Sequence, residues 1–291
     1  MLSQKAIRSK IKAVKNIQKI TKAMKMVAAA KLKRVQERVG ASRPYSDKMR
    51  QLVQAVAPFA RDVKHPLLEV RETRRRGLVV LSGEKGLCGS YNNNITRLGM
   101  RTMQGWTDKP FQVMSVGRKG NEFYKRREVP VVKNFAMPGV NAPFSEIEAI
   151  ANAIAAWYES GDVDEVYIAY TIFKSPMVQR VEVLKFLPIE PPTAKAGDAG
   201  PAVDEYIFEP AAPELLATLL PRYLKIQIYQ FLLEAMASEQ GARMTAMSSA
   251  TENAGELLDS LTLAYNKARQ WSITRELLDI VGGAEALKSV N

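Results

Sequence analysis

The turn Ser82-Gly-Glu-Lys-Gly-Leu-Cys-Gly-Ser90 holds the residues of this chain best placed to do chemistry. It follows an apolar run, Gly77 to Gly83, that reads as a buried strand, and it precedes a helical stretch. Phosphate-binding loops occupy that position. A Walker loop places four residues between its glycines and then Gly-Lys-Ser/Thr, so that the lysine meets the β- and γ-phosphates. Here five residues separate Gly83 from Gly89, and Ser90 stands where the lysine is needed. No G-x-G-x-x-G occurs at the turn either. The segment reads as a tight structural turn packed under the sheet.

Other reactive groups are few. Cys88 is the only cysteine and His65 the only histidine. That leaves no disulfide framework, no Cys-based zinc cluster, no His-ligated metal and no Ser-His-Asp triad. Cys88 has no base near it in sequence and reads as a buried structural thiol. His65, within Lys-His-Pro, reads as a surface residue. Asp162, Asp164 and Glu165 flank a glycine turn and read as solvating it. Met24 and Met26, with Met236, Met244 and Met247, would suit copper as thioethers. At helical spacing they read instead as flexible filler between two long helices. No acid, base and nucleophile converge, so the chain reads as catalytically inert, with no cofactor.

The elements that carry these residues have two textures. Near the N-terminus, Ile7, Ile11, Val14, Ile17, Met24, Val27, Leu32, Val35 and Val39 recur about every 3.5 residues, the repeat of a supercoiling helix. Pro44 is the first proline, and Pro58 and Pro66 mark the exit. A helix of about 55 residues is roughly 80 Å long and must project from any domain of this size. After Pro221 the chain is free of proline, and Tyr223–Leu287 reads as a second long helix. Its apolar positions include Leu224, Ile228, Phe231 and Ala235, then Ala254, Leu257, Leu261, Ala264 and Ala268. The two seams suit each other as an antiparallel pair.

Between them, strands over 77–83, 111–116, 131–135, 164–173 and 179–187 alternate with helices over 91–105, 118–127 and 145–160. This predicts an α/β layer structure. Ser145 and Glu148 fit a capping box for the last of these helices. Pro191–Asp204 reads as a flexible loop. No run approaches the ~20 apolar residues that a membrane span needs.

The 291 residues carry a net charge of +12, and it is concentrated. Fifteen lysines and arginines lie between Met1 and Arg50, opposed only by Glu37 and Asp47. Such a field calls for an acidic partner surface. Nucleic acid is one such partner, but no aromatic residue precedes Tyr45 to interleave with the charges. An organelle presequence is also basic and acid-poor. This segment is rich in lysine rather than serine and arginine, and its periodicity runs on, so it reads as mature structure.

Three motifs in order resemble one family. Ile17-Gln-Lys-Ile-Thr-Lys-Ala-Met-Lys-Met-Val-Ala-Ala-Ala-Lys-Leu32 is similar to the N-terminal signature of gamma subunits of F-type ATP synthases. Gly86-Leu-Cys-Gly-Ser-Tyr-Asn92 resembles their central turn. Ser238 to Met247 and Tyr265 to Leu287 resemble their C-terminal segments. The resemblance covers the whole chain. It implies an antiparallel coiled coil, residues 1–66 with 210–291, and a Rossmann-like α/β/α domain over 67–209. The coiled coil would turn, as the central-stalk rotor, inside a hexamer of alternating alpha and beta subunits. It would transmit torque from a proton- or sodium-driven membrane c-ring and regulate ATPase activity and ion flow. The chain itself is then a non-catalytic subunit, with no nucleic-acid partner and no direct membrane insertion.

The resemblance also assigns residues. Arg8, Met24, Lys31, Arg34, Arg243, Arg269, Gln270 and Thr274 would contact the beta subunit, with Met24 and Arg243 facing each other. Lys10 adds to that charge. Ile273, Leu277, Leu278, Ile280, Val281 and Leu287 would form an apolar bearing tip. Tyr206, Phe208 and Glu209 would form the foot against the membrane ring and the epsilon subunit. Phe208 stands where some members have tyrosine, and Trp271 where some have a small residue. The inserted cysteine pair of photosynthetic members is missing, which argues against thiol control. The implied location is the cytoplasmic face of a bacterial inner membrane, held peripherally.

Overall fold

The apolar run Leu78-Val-Val-Leu81 becomes the centre of a five-stranded sheet, because a strand buried on both faces needs no polar alternation. A computed structural model describes residues 3–59, 64–190 and 209–288. Strand β1 (Arg76–Leu81) pairs in parallel with β2 (Phe111–Val116) on one side and β4 (Glu165–Phe173) on the other. The edges are β3 (Val131–Phe135), parallel to β2, and β5 (Gln179–Leu187), antiparallel to β4. The order is β3-β2-β1-β4-β5.

Alternate residues of β1 serve two cores. Leu78 and Val80 pack with Ile95 and Met103 of α2 (Tyr91–Gln104) and Tyr124 of α3 (Arg118–Lys125). Val79 and Leu81 pack with Ile147, Ile150 and Ile154 of α4 (Phe144–Glu159). The same second core holds Leu32, Val35 and Val53 of α1 (Gln4–Val56) and Leu220, Leu224 and Leu232 of α5 (Ala212–Lys288). The result is the layered α/β structure expected, with helices on both faces.

Several local expectations change. Helix α5 begins at Ala212, upstream of Tyr223, and carries Pro221 inside it. Buried Leu216, Leu219 and Leu220 hold that first stretch to the core and offset the hydrogen bond the proline removes, a loss of about 3 kcal/mol. Ser145 does not cap α4. The cap position is the extended Pro143, with no side-chain bond, and Glu148 pairs with Lys225 instead. Nor do the acids after Gly161 merely solvate a turn. Asp164 Oδ2 accepts from the backbone N–H groups of Arg74 and Arg75 at 2.7 and 2.8 Å, and Glu165 binds both Arg76 and Lys185. His65 is half-buried, and its Nδ1 accepts from the Leu67 N–H at 3.1 Å. Burial lowers its pKa. The loop expected over Pro191–Asp204 lies outside the described residues.

Packing groups the chain into two units. One runs from Ala28 to Arg243 and contains the sheet; the other joins the residues up to Val27 with those from Met244. This differs from a division at 66/67 and 209/210. The reason is that the inner parts of α1 and α5 share the sheet's own core.

In the second unit the two helix segments run antiparallel. Gln4 bonds to Tyr265, Thr21 to Thr251 and Lys25 to Ser248, so position rises on one helix as it falls on the other. The inward positions are Gln4, Ile7, Ile11, Val14, Gln18 and Thr21, facing Met247, Thr251, Ala254, Leu258, Leu261, Tyr265 and Ala268. Both sets alternate spacings of three and four. Ile17 is therefore 52% exposed although apolar, and Gln18 lies inward in its place. Likewise Leu257 faces out and Leu258 in, and Met26 and Val27 are exposed rather than seam filler.

Gly255 lies beside Gln18, whose Nε2 would be 3.2 Å from an added Cβ. That atom ends a flexible side chain and can give way. Gly255→Ala is expected to stabilise this helix pair by up to about 1 kcal/mol through helix propensity. A higher melting midpoint of the far-UV circular dichroism checks it; a lower one shows that Gln18 is fixed.

Candidate functional site

In a doubly wound sheet a ligand sits beyond the carboxyl ends of the strands, where the order reverses. Here that place is between β1 and β4, and the Ser82–Ser90 turn lies at it rather than under the sheet. The turn is bound from every side. Ser82 Oγ donates towards the Val116 and Gly117 carbonyls and accepts from the Gly120 N–H at 2.8 Å. Gly83 N–H donates to Asn92 Oδ1 at 2.8 Å. Glu84 Oε2 accepts from the N–H groups of Arg118 and Met137, both at 3.2 Å. The start of α3, where a phosphate would bind, thus holds the chain's own carboxylate.

Helix α5 fills the rest of the crevice. Tyr91 Oη donates to the Ala235 carbonyl at 3.1 Å, and burial holds its phenol far above the usual range. Ser238 Oγ donates to the Thr171 carbonyl of β4 at 3.1 Å. Glu239 and Arg243, one helical turn apart, form a buried ion pair. Arg243 Nη2 also reaches the carbonyls of Lys85 and Gly86 at 3.4 and 3.3 Å. A side chain at Gly83 would meet Asn92 at 2.9 Å and Glu239 at 3.2 Å. The room a nucleotide would need is occupied by protein.

Cys88 is 1% exposed, and Asn92 Nδ2 lies 3.2 Å from its sulfur. Burial pushes the thiol pKa up, against the smaller opposing effect of Arg243, so the thiolate that reacts is scarce. Leu87 beside it holds φ +62, a left-handed conformation uncommon outside glycine and asparagine.

The assigned contact residues fall as follows. Arg8, Lys31, Arg34, Arg269, Gln270 and Thr274 are all exposed, whereas Met24 is half-buried. Arg243 is turned inward to Glu239 and the turn carbonyls. Met24 lies in the helix-pair unit and Arg243 in the sheet unit. Ile273, Leu277, Leu278, Ile280 and Val281 are all exposed, Ile280 by 69%. The side chain of Leu287 and the whole of Tyr206 and Phe208 lie outside the described residues; Glu209 is exposed. The basic side chains of α1 from Lys5 to Lys25 point outward too. Sequence reasoning missed Glu239, Asn92 and Tyr91. The i, i+4 spacing of Glu239 and Arg243 was the available signal.

A further carboxylate is carried by α5 itself. Glu234 Oε2 is buried with no hydrogen-bond partner among the described residues. Burial, then the like charge of Glu182, raises its pKa. The same two acids help burial push Tyr170 up to about 12. Because the folded carboxyl holds its proton more tightly than the unfolded one, its stabilising effect is full at low pH. It is lost as pH rises through the raised value. Glu234→Gln should therefore raise the denaturation midpoint near neutral pH, with the difference closing by about pH 4. An equal difference at both pH values contradicts this assignment.

Comparison with known proteins gives a consistent family. A family model described as ATP synthase matches residues 3–287. The ATP synthase gamma chain of Desulfitobacterium hafniense is 44% identical over 288 residues, 99% of this chain and 100% of that one. That of Nitrosococcus oceani is 41% identical over 289 residues, with the same coverage. Among solved structures, a chain of the Tetrahymena thermophila mitochondrial ATP synthase central stalk and c-ring is similar at TM-score 0.59 and 26% identity. The similarity covers 79% of this chain and 99% of that one. A chain of the Euglena gracilis mitochondrial ATP synthase is similar in fold at TM-score 0.68 and 20% identity, over 98% and 95% of the two chains.

Proposed function

The chain belongs to the ATP synthase family as a gamma chain, a non-catalytic subunit, and we propose that its helix pair is an antiparallel coiled-coil shaft that turns within a hexamer of alpha and beta subunits. The observation that carries this reading is the seam. An unbroken three-and-four alternation on both helices is the repeat that winds two helices into a stiff left-handed supercoil. We assign residues 1–66 and 210–291 to this shaft and 67–209 to the Rossmann-like domain, with the inner parts of α1 and α5 packed into the sheet's core.

The surfaces suit the role. Arg8, Lys31 and Arg34 offer exposed charge to acidic loops of beta, and Arg269, Gln270 and Thr274 offer polar groups beyond them. Exposed ion pairs are worth only about 0–1 kcal/mol each, so they form and release as the shaft turns. Met24 and Arg243 join this contact. Ile273, Leu277, Ile280, Val281 and Leu287 make an apolar bearing that slides without hydrogen bonds to break. Tyr206, Phe208 and Glu209 meet the membrane c-ring and the epsilon subunit. No described helix is long and apolar enough to cross a membrane. Attachment to the cytoplasmic face of a bacterial inner membrane then runs through those partners.

Met24→Lys in the assembled complex tests the assignment. The added charge is expected to uncouple hydrolysis from ion pumping, so that pumping falls more than ATPase activity. Full coupling in the variant removes Met24 from the contact. Failure of the chain to co-purify with alpha, beta and epsilon subunits removes the rotor reading itself.

A further inference from the structure

The tip of the β4–β5 hairpin presents apolar side chains to solvent from a rigid support. Met177 is 82% exposed and Val178 54%. Exposure of this kind does nothing for the fold, and single exposed residues are common. What sets this tip apart is how firmly it is built. Ser175 N–H donates to the Val178 carbonyl at 3.0 Å, and Val178 N–H donates back to the Ser175 carbonyl at 3.1 Å. Ser175 Oγ also accepts from Val178 N–H at 3.1 Å, and Gln179 Nε2 ties down the carbonyls of Ser175 and Pro176.

The tip is also seated on α5. A Cβ at Gly241 would lie 3.1 Å from the Phe173 ring and 3.2 Å from the Pro176 Cα, so the hairpin lies tightly against the bare backbone of α5 here. Gly241 is two residues from Arg243 and lies in the segment that fills the crevice. Because β4 runs parallel to β1, the hairpin leaves the same edge of the sheet as the Ser82–Ser90 turn. Lys174 and Arg180 flank the tip, both exposed, and no acid lies between them.

We propose that the Met177–Val178 tip is a second bearing point, which enters an apolar recess bordered by carboxylates on the catalytic subunits of the hexamer. The proposal rests on the rotor reading and adds a contact to it. Charge selects this occupant: the tip is basic at its rim, like the α1 surface assigned to the same acidic partner. The side chain suits it as well. Methionine is unbranched and repacks readily, so one residue fits successive copies of a recess held in different conformations. It makes no strong hydrogen bond that would have to break at each step.

The test uses the full chain reconstituted with the hexamer. Met177→Cys is labelled with a benzophenone maleimide, buried Cys88 remaining unlabelled, and the complex is irradiated. Lys31→Cys and Val70→Cys are treated alike, the first as an assigned contact and the second as an exposed position with no assigned partner. Position 177 is expected to cross-link to a catalytic subunit about fivefold more than position 70, as a desolvated anchor should. Met177→Asp should weaken binding of the chain to the hexamer about tenfold, and Met177→Leu should restore it. Cross-linking from position 31 but not 177 overturns the bearing point and leaves the rotor reading intact. No cross-link from either position overturns both.

Discussion

Replacing Gly117 with alanine is expected to destabilise the sheet unit by about 3–5 kcal/mol, the combined scale of backbone strain and overpacking. Gly117 joins β2 to α3 at φ +99 and ψ 136, a conformation open only to glycine. A Cβ there would fall 2.1 Å from the carbonyl oxygen of Ser82, the residue after β1, whose own N–H is tied to the Val116 carbonyl at 2.8 Å. Neither partner can rotate away. The contrast is Gly86, where an added Cβ meets nothing within 4 Å, so Gly86→Ala should change stability by no more than about 0.5 kcal/mol. Denaturant titration followed by Trp106 and Trp157 fluorescence, in a Trp271→Phe background, reads this unit alone. Equal midpoints for the two alanine variants would falsify the account of the β2–α3 turn.

Both tryptophans report well because each is fixed in place. Trp106 packs on Tyr167 with ring centroids 5.0 Å apart, and Trp157 Nε1 donates to Gln112 Oε1 at 3.3 Å. Trp271 is exposed on the other unit, and its signal would dilute theirs.

The sheet was legible because its strands are short apolar runs between turn residues. The expected 111–116, 131–135 and 179–187 coincide with β2, β3 and β5. The long helices were legible from their length and their repeat. Residue choice within the seam was not. Reading apolarity selected Ile17 and Leu257, while the geometry of a 3.5-residue repeat selects Gln18 and Leu258. A polar side chain at a seam position finds a partner across it, as Thr21 does in Thr251 at 2.8 Å. Apolar count therefore understates the seam and overstates its neighbours. The proline rule failed at Pro221 for a related reason: burial of Leu216, Leu219 and Leu220 outweighs one missing hydrogen bond.

The crevice was legible only in part. The Walker mismatch at Gly83–Ser90 already argued against a phosphate loop. That α5 fills the site, and that Glu84 takes the anion's place at α3, depends on contacts between residues far apart in sequence. Glu84 bonds across 34 residues to Arg118, and Arg243 across 157 to Gly86. Such pairs leave no periodic trace. A family motif can mark both ends, as it does here, without showing that they touch.

Arg243→Ala is expected to destabilise the sheet unit by about 3–5 kcal/mol, because it leaves the Glu239 carboxylate buried without its partner. The side chains of Arg243 and Glu239 are only 11% and 7% exposed, so solvent compensates little. The double variant with Glu239→Gln removes the orphaned charge and should recover a substantial part of the loss. Labelling of Cys88 should be faster in both the single and the double variant than in the parent, since both lack the Arg243 bonds that hold the turn through Lys85 and Gly86. This cycle also separates two roles for Arg243. If neutralising the buried Glu239 is all that matters, coupling of hydrolysis to pumping returns in the double variant together with stability. If Arg243 also meets the beta subunit, stability returns and coupling does not, because no rearrangement within this chain replaces a guanidinium offered to a partner.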